Sequence, residues 1–178
     1  MKCGWKILHS VRYWRVVVVI LGISSAGKTT IGQLLAQKLG WRFYEGDDFH
    51  SPSNIKKMRR GIPLTDEDRR PWLGRLRELI EQCLSNHENA VLACSALKLK
   101  YRDRLRVSDE VKFVFLRGAF SLIANQQRAR SGHFMNPGLL QSQFDVLEEP
   151  QPDENVLTVE LGRSPIEIVA ELEQRLKT

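Results

Sequence analysis

The sequence predicts an α/β domain in which a parallel sheet is wrapped by helices on both faces. Three observations carry that reading. A β-branched run at residues 16–21 leads directly into Gly22-Ile23-Ser24-Ser25-Ala26-Gly27-Lys28-Thr29. Further short apolar runs recur along the chain, alternating with stretches of helical spacing. Helix-start signals punctuate them: Ser51-Pro52, Thr65 with Asp68 three residues on, and Ser164-Pro165 with Glu167. Runs of strand length bounded this way suit strands buried on both faces, and right-handed crossovers restrict their order.

The element order follows. Residues 16–21 form the first strand. The segment after Gly27 is a helix, with Ile31, Leu34, Leu35 and Leu39 at helical spacing and Gly40 as its stop. Residues 41–44 read as a short second strand that delivers Glu45, Asp47, Asp48 and His50 to its C-terminal end, where open α/β sheets bind ligands. A short helix runs from Pro52 to Arg60. Ile62-Pro63-Leu64 is extended, and the helix capped by Thr65 turns Trp72, Leu73, Leu76, Leu79, Ile80 and Leu84 inward. Residues 90–94 and 111–116 read as the third and fourth strands, with a basic helical turn at 98–106 between them. A helix at 120–130 leads into an excursion over 132–149, with a short helix around 139–144. Residues 156–161 form the fifth strand, and the last helix places Ile166, Val169, Leu172 and Leu176 on one face.

The whole chain sets bounds. Its 178 residues suit one domain with a small lid. Hydrophobic and charged fractions of 42% and 27% are those of an ordinary globular protein. A net charge of +6 favours anionic ligands. No aromatic-plus-basic nucleic-acid module accompanies it, so no nucleic-acid partner is expected. Cys3, Cys83 and Cys94 have neither paired nor metal-like spacing, which suggests free thiols in a reducing compartment. No apolar run approaches the roughly 20 residues that span a bilayer, so no membrane partner is expected. Residues 1–15 are basic and aromatic without a long apolar core, and read as a poorly ordered extension before the domain at 16–178.

Gly22 to Thr29 is G-x-x-x-x-G-K-[ST] between a strand and a helix. Successive N–H groups of such a loop form a concave anion site, and the helix N-terminus adds to the attraction. The expected triphosphate site comprises Gly22, Ser24, Ser25, Ala26, Gly27, Lys28, Thr29 and Thr30. Lys28 would reach the β- and γ-phosphates, and the Thr29 hydroxyl would ligate Mg²⁺. A chance glycine-rich turn is the bland alternative, and the strand and helix on either side argue against it. Nucleotide binding is the reading.

Three further stretches narrow the chemistry. Residues 45–50 put carboxylates one strand from the phosphates, as proton transfer and Mg²⁺ positioning require; the bland reading is a solvated, helix-capping loop. Cys94-Ser95-Ala96-Leu97-Lys98 with Tyr101-Arg102-Asp103 follows the third strand and could hold an anionic, polyhydroxylated acceptor, or could be a surface helix. Arg128 and Arg130, ahead of Gly132 and His133, suit a lid that closes over a γ-phosphate.

Together these stretches resemble the gluconokinase family, small P-loop sugar-acid kinases related to shikimate kinase. The matching residues are the phosphate loop, GDDFH from Gly46 to His50 with Pro52 and Asn54, Lys57-Met58, and GIPLTDEDRRPWL from Gly61 to Leu73. CSALK with YRD, GHFM from Gly132 to Met135, and L-x-S-Q-F-x-x-L-E-x-P from Leu140 to Pro150 complete them. The resemblance implies an adenylate-kinase-like three-layer fold with a five-stranded parallel sheet, an acceptor-side cap at about 50–86 and a lid at about 128–150. It implies ATP and Mg²⁺ as cofactors, phosphorylation of D-gluconate at the 6-hydroxyl, and a cytoplasmic homodimer. Matched residue by residue, Asp47 is the general base, and Lys28 and Arg130 serve the transferring phosphoryl. Arg128 joins the nucleotide site. His50, Arg69, Lys98, Arg102 and His133 serve the acceptor, and Glu45 serves the metal through water.

The chain departs from the family pattern at Ser25-Ala26 inside the loop, at Glu45 for the usual aspartate, and at Gln126 for a frequent lid arginine. Ser25 would carry a cost on the order of 1 kcal/mol if its position needs a positive φ. The alternatives are a kinase of another small hydroxy acid and a nucleotide-binding regulatory protein with weak catalysis.

Overall fold

A computed structural model describes residues 15–129 and 137–177. The expectations for residues 1–14, Arg130 and His133 fall outside those residues. The described chain contains five strands, β1 (Val17–Leu21), β2 (Arg42–Glu45), β3 (Ala90–Ala93), β4 (Val111–Arg117) and β5 (Val156–Glu160). They form one sheet in the order β2-β3-β1-β4-β5, and every pairing is parallel. The helices are α1 (Lys28–Leu39), α2 (Pro52–Arg59), α3 (Asp66–Ser85), α4 (Leu99–Leu105), α5 (Phe120–Ala129), α6 (Pro137–Asp145) and α7 (Pro165–Leu176).

The central strand shows why the sheet has two covered faces. Val18 and Ile20 join a core built with Ile31 and Leu35 of α1, Ile123 of α5, and Val169 and Leu172 of α7. Val17, Val19 and Leu21 point the other way, against Trp72, Leu76 and Ile80 of α3 and Leu105 of α4. All five β1 residues are buried, as strand alternation between two packed faces demands. The result is the expected three-layer α/β/α fold.

The caps are made as read. Thr65 and Asp68 exchange side-chain and backbone hydrogen bonds in a capping box, and so do Ser164 and Glu167. One helix face differs from expectation. Ile166 is 75% exposed, and Ile168 is buried beside Val169 and Leu172 instead. Because Pro165 is the first helical residue, Ile166 falls on the outer side of the first turn. Among the described residues, no helix is long and apolar enough to cross a membrane, and Cys83 and Cys94 are buried free thiols.

Candidate active site

The phosphate loop leaves β1 through two constrained positions. Gly22 has φ +143°, and a Cβ there would stand 3.0 Å from the Leu116 carbonyl oxygen. Ser25 adopts φ +65°, a left-handed conformation costing a non-glycine residue on the order of 1 kcal/mol. Its Oγ is buried without a hydrogen-bond partner among the described residues. The Lys28 ammonium lies back along the loop and donates to the Ile23 carbonyl at 3.0 Å. Thr29 Oγ1 donates to Glu45 Oε2 at 2.6 Å, joining the first turn of α1 to the end of β2. Burial raises the Glu45 pKa, and the Thr29 hydrogen bond opposes that rise. A hydroxyl and a carboxylate this close are hard oxygen donors of the kind Mg²⁺ takes, one directly and one through water.

The turn after β2, Gly46–Phe49, is pinned from two sides. A Cβ on Gly46 would overlap the Ala93 carbonyl oxygen, and the Trp72 indole N–H donates to the Gly46 carbonyl at 2.7 Å. Asp47 therefore projects from a rigid turn, its side chain 61% exposed, with Oδ1 4.0 Å from His50 Nε2. His50 itself is buried and stacks on Trp72, centroids 4.3 Å apart and rings 11° from parallel. Burial, more than the neighbouring Arg69 and Arg75, lowers its pKa to about 4. His50 is thus neutral at pH 7 and offers an acceptor hydrogen bonds, not charge.

Beyond this turn lies a hollow of about 370 Å³, lined among others by Leu64, Asp66, Arg69, Lys98 and Gln143. It joins the cap side to α6. The Arg69 guanidinium donates to the Leu64 carbonyl and stands 5.9 Å from the Tyr101 ring centre. Lys98 Nζ bonds Asp66 Oδ1 at 3.0 Å. Lys100 and the Tyr101 hydroxyl also donate to the Asp66 carboxylate, and these hydrogen bonds hold its pKa well below the usual carboxylate range.

Arg102 is not in this hollow, which corrects the expectation that it binds acceptor. Its side chain is fully buried and bidentate with Glu154, Nε to Oε2 at 2.6 Å and Nη2 to Oε1 at 2.9 Å. Nη1 donates to the Glu148 carbonyl at 2.9 Å and to the Ala96 and Leu97 carbonyls. The arginine fork does find a carboxylate, but the protein's own.

The lid side reaches the phosphate loop through a residue the sequence reading assigned no role. Gln143 of α6 accepts from the Ser24 N–H with Oε1 at 2.8 Å, and its Nε2 donates to Ser24 Oγ at 3.2 Å. At the root of this segment, Glu148 accepts from the Leu99 N–H at 2.6 Å. The only available signal was the place of both residues in S-Q-F-x-x-L-E.

On the opposite side of the loop is a second hollow, of about 260 Å³, bounded by Ser25–Gly27, Thr30, Gln126 and the turn from Leu161 to Pro165. Sequence reasoning found the loop and Gln126 but not the turn after β5, whose residues have no motif. Arg128 is exposed at the end of α5, whereas Gln126 lines the hollow. The loop is flanked by a half-open hollow, an arrangement with room for an anion on the loop amides and an attached group beside it.

Comparison with known proteins agrees with this arrangement. The shikimate kinase family profile matches residues 24–151. The probable gluconokinase of Mus musculus is 42% identical over 179 residues, covering 90% of this chain and 97% of the relative. The gluconokinase of Gluconobacter oxydans is 42% identical over 156 residues, covering 87% and 88%. The chain belongs to the gluconokinase family. The crystal structure of a gluconokinase from Sinorhizobium meliloti 1021 superposes on it with a TM-score of 0.83 at 40% identity, covering 93% of each chain. This gluconokinase-family chain is a kinase.

Proposed function

We propose that this kinase transfers the γ-phosphoryl group of ATP to the 6-hydroxyl of D-gluconate, giving 6-phospho-D-gluconate. One observation carries the reading: a polar hollow that sets Arg69 and Lys98 beside Asp66 and Glu67 meets the phosphate loop at Gln143, in a chain of this family. Lys28 and the loop amides hold the polyphosphate. Thr29, and Glu45 through water, would hold Mg²⁺, which when bound would supply charge compensation to the polyphosphate. Arg69 and Lys98 bind the sugar acid's carboxylate, Lys98 by exchanging its bond to Asp66. The neutral His50 imidazole orients a hydroxyl.

Asp47 takes the proton from the 6-hydroxyl as its oxygen attacks phosphorus and the bond to the departing ADP breaks. Arg130 serves the transferring phosphoryl and His133 the acceptor. The enzyme works as a cytoplasmic homodimer.

The test is ADP release from Mg-ATP in the presence of gluconate, other sugar acids, shikimate and nucleoside monophosphates. Stimulation by gluconate above the others is expected. Stimulation by none, or by a nucleotide alone, overturns the reading.

A further inference from the structure

Two buried side-chain oxygens have no hydrogen-bond partner among the described residues, Ser25 Oγ and Gln126 Oε1. Both residues line the same hollow of about 260 Å³ beside the phosphate loop. A buried polar atom left unpaired costs roughly 1–3 kcal/mol. Two residues lining one hollow thus carry unpaired oxygens just beneath its surface, where a small side-chain rotation would offer them to a polar ligand.

The two oxygens require different chemistry. A serine hydroxyl can donate to a phosphate oxygen, whereas a carboxamide oxygen can only accept. Gln126 Oε1 therefore suits a part of the ligand that carries an N–H or O–H, away from the phosphates. The hollow is also lined by Leu161, Gly162, Pro165 and Ile168, with Arg163 among them, and such a wall can take the face of a flat ring.

We propose that Gln126 determines nucleobase specificity by accepting from the 6-amino group of adenine while its Nε2 faces N7. Adenine presents a donor and an acceptor at those two positions, where guanine presents two acceptors. A guanine would leave Oε1 unpaired and set O6 against it. An arginine at this position, having donors only, would favour the two acceptors of guanine instead. The inference rests on reading the chain as a nucleotide-using kinase and is independent of which acceptor it phosphorylates.

Titration calorimetry with ATP, GTP, 3′-deoxy-ATP and purine riboside triphosphate, which lacks the 6-amino group, tests this without any acceptor. The unaltered protein should bind ATP and 3′-deoxy-ATP about 10-fold more tightly than the other two. Gln126→Leu should lose about 10-fold for ATP and stay within about two-fold for GTP and purine riboside triphosphate. Gln126→Glu, which keeps an acceptor, should still prefer ATP to purine riboside triphosphate. Equal weakening of all four ligands by Gln126→Leu overturns the proposal, as does an unchanged ratio of ATP to GTP. A Gln126 effect that vanishes with 3′-deoxy-ATP also overturns it, because the donor is then the ribose. Absence of gluconate-stimulated turnover would sink the proposed reaction and leave these affinities to be judged separately.

Discussion

The two hollows flanking the phosphate loop are built on opposite plans. On the acceptor side the charged groups already hold one another: Lys98, Lys100 and Tyr101 converge on Asp66, and Lys57 bonds Asp68 at 2.7 Å. On the nucleotide side the main chain forms one wall, and two side-chain oxygens are left unpaired. An acceptor must therefore exchange existing ion pairs, whose net value is small because both partners are already satisfied. A nucleotide bound as proposed would instead satisfy groups that no other described residue does. Recognition of the acceptor should depend on individual side chains throughout, and recognition of the polyphosphate on the loop amides with Lys28 as the main side-chain contributor.

The largest expected break in that contrast is at Asp47. Asp47→Asn should lower turnover by about 10²–10⁴-fold while leaving ATP affinity, measured by calorimetry, within about two-fold. Turnover that survives within a few-fold would mean that Asp47 is not the base.

Next comes Arg102, which ties the chain between α6 and β5 to α4. Arg102→Met leaves the Glu154 carboxylate, 7% exposed, without its charge partner and should cost about 3–5 kcal/mol in denaturant unfolding. A purely acceptor-binding Arg102 would leave stability unchanged.

His50 sharpens the contrast through pH. Its folded pKa of about 4 lies below the unfolded value of 6.5, so between those values the unfolded chain binds more protons. Stability should fall by about 3 kcal/mol as pH drops from 7 to 4, with little further His50-linked loss below that. Unfolding curves of His50→Gln across the same range should show a shallower slope.

Lys98→Met should raise the KM for gluconate by about 10-fold with kcat and the KM for ATP little changed. The smallest effect is expected at Ser25. Ser25→Gly relieves a φ of +65° and should raise stability by roughly 1 kcal/mol, with nucleotide affinity reduced less than about three-fold.

What could be read in the sequence was local. The Thr65–Asp68 and Ser164–Glu167 caps span three residues and were visible as pairs. The alternation of β1 and the phosphate loop needed only a short window. Ile166 was placed inward because its spacing to Val169 fits a helix face, yet spacing alone does not tell which of Ile166 and Ile168 meets the sheet.

The contacts that organise the site join residues far apart in the chain. Gln143 reaches Ser24 across 119 residues, and Arg102 reaches Glu154 across 52. No periodicity records such pairings. Arg102, in a basic stretch after a strand, had the composition of an acceptor site, and only burial shows that its partner is internal.

The most direct measurement is a crystal structure with a non-hydrolysable ATP analogue and gluconate bound together. The account predicts the gluconate 6-hydroxyl within hydrogen-bond reach of the Asp47 carboxylate, its own carboxylate on Arg69 and Lys98, and the triphosphate on the loop amides. A sugar acid bound the other way round, or an Asp47 side chain turned into solvent away from both substrates, would contradict it.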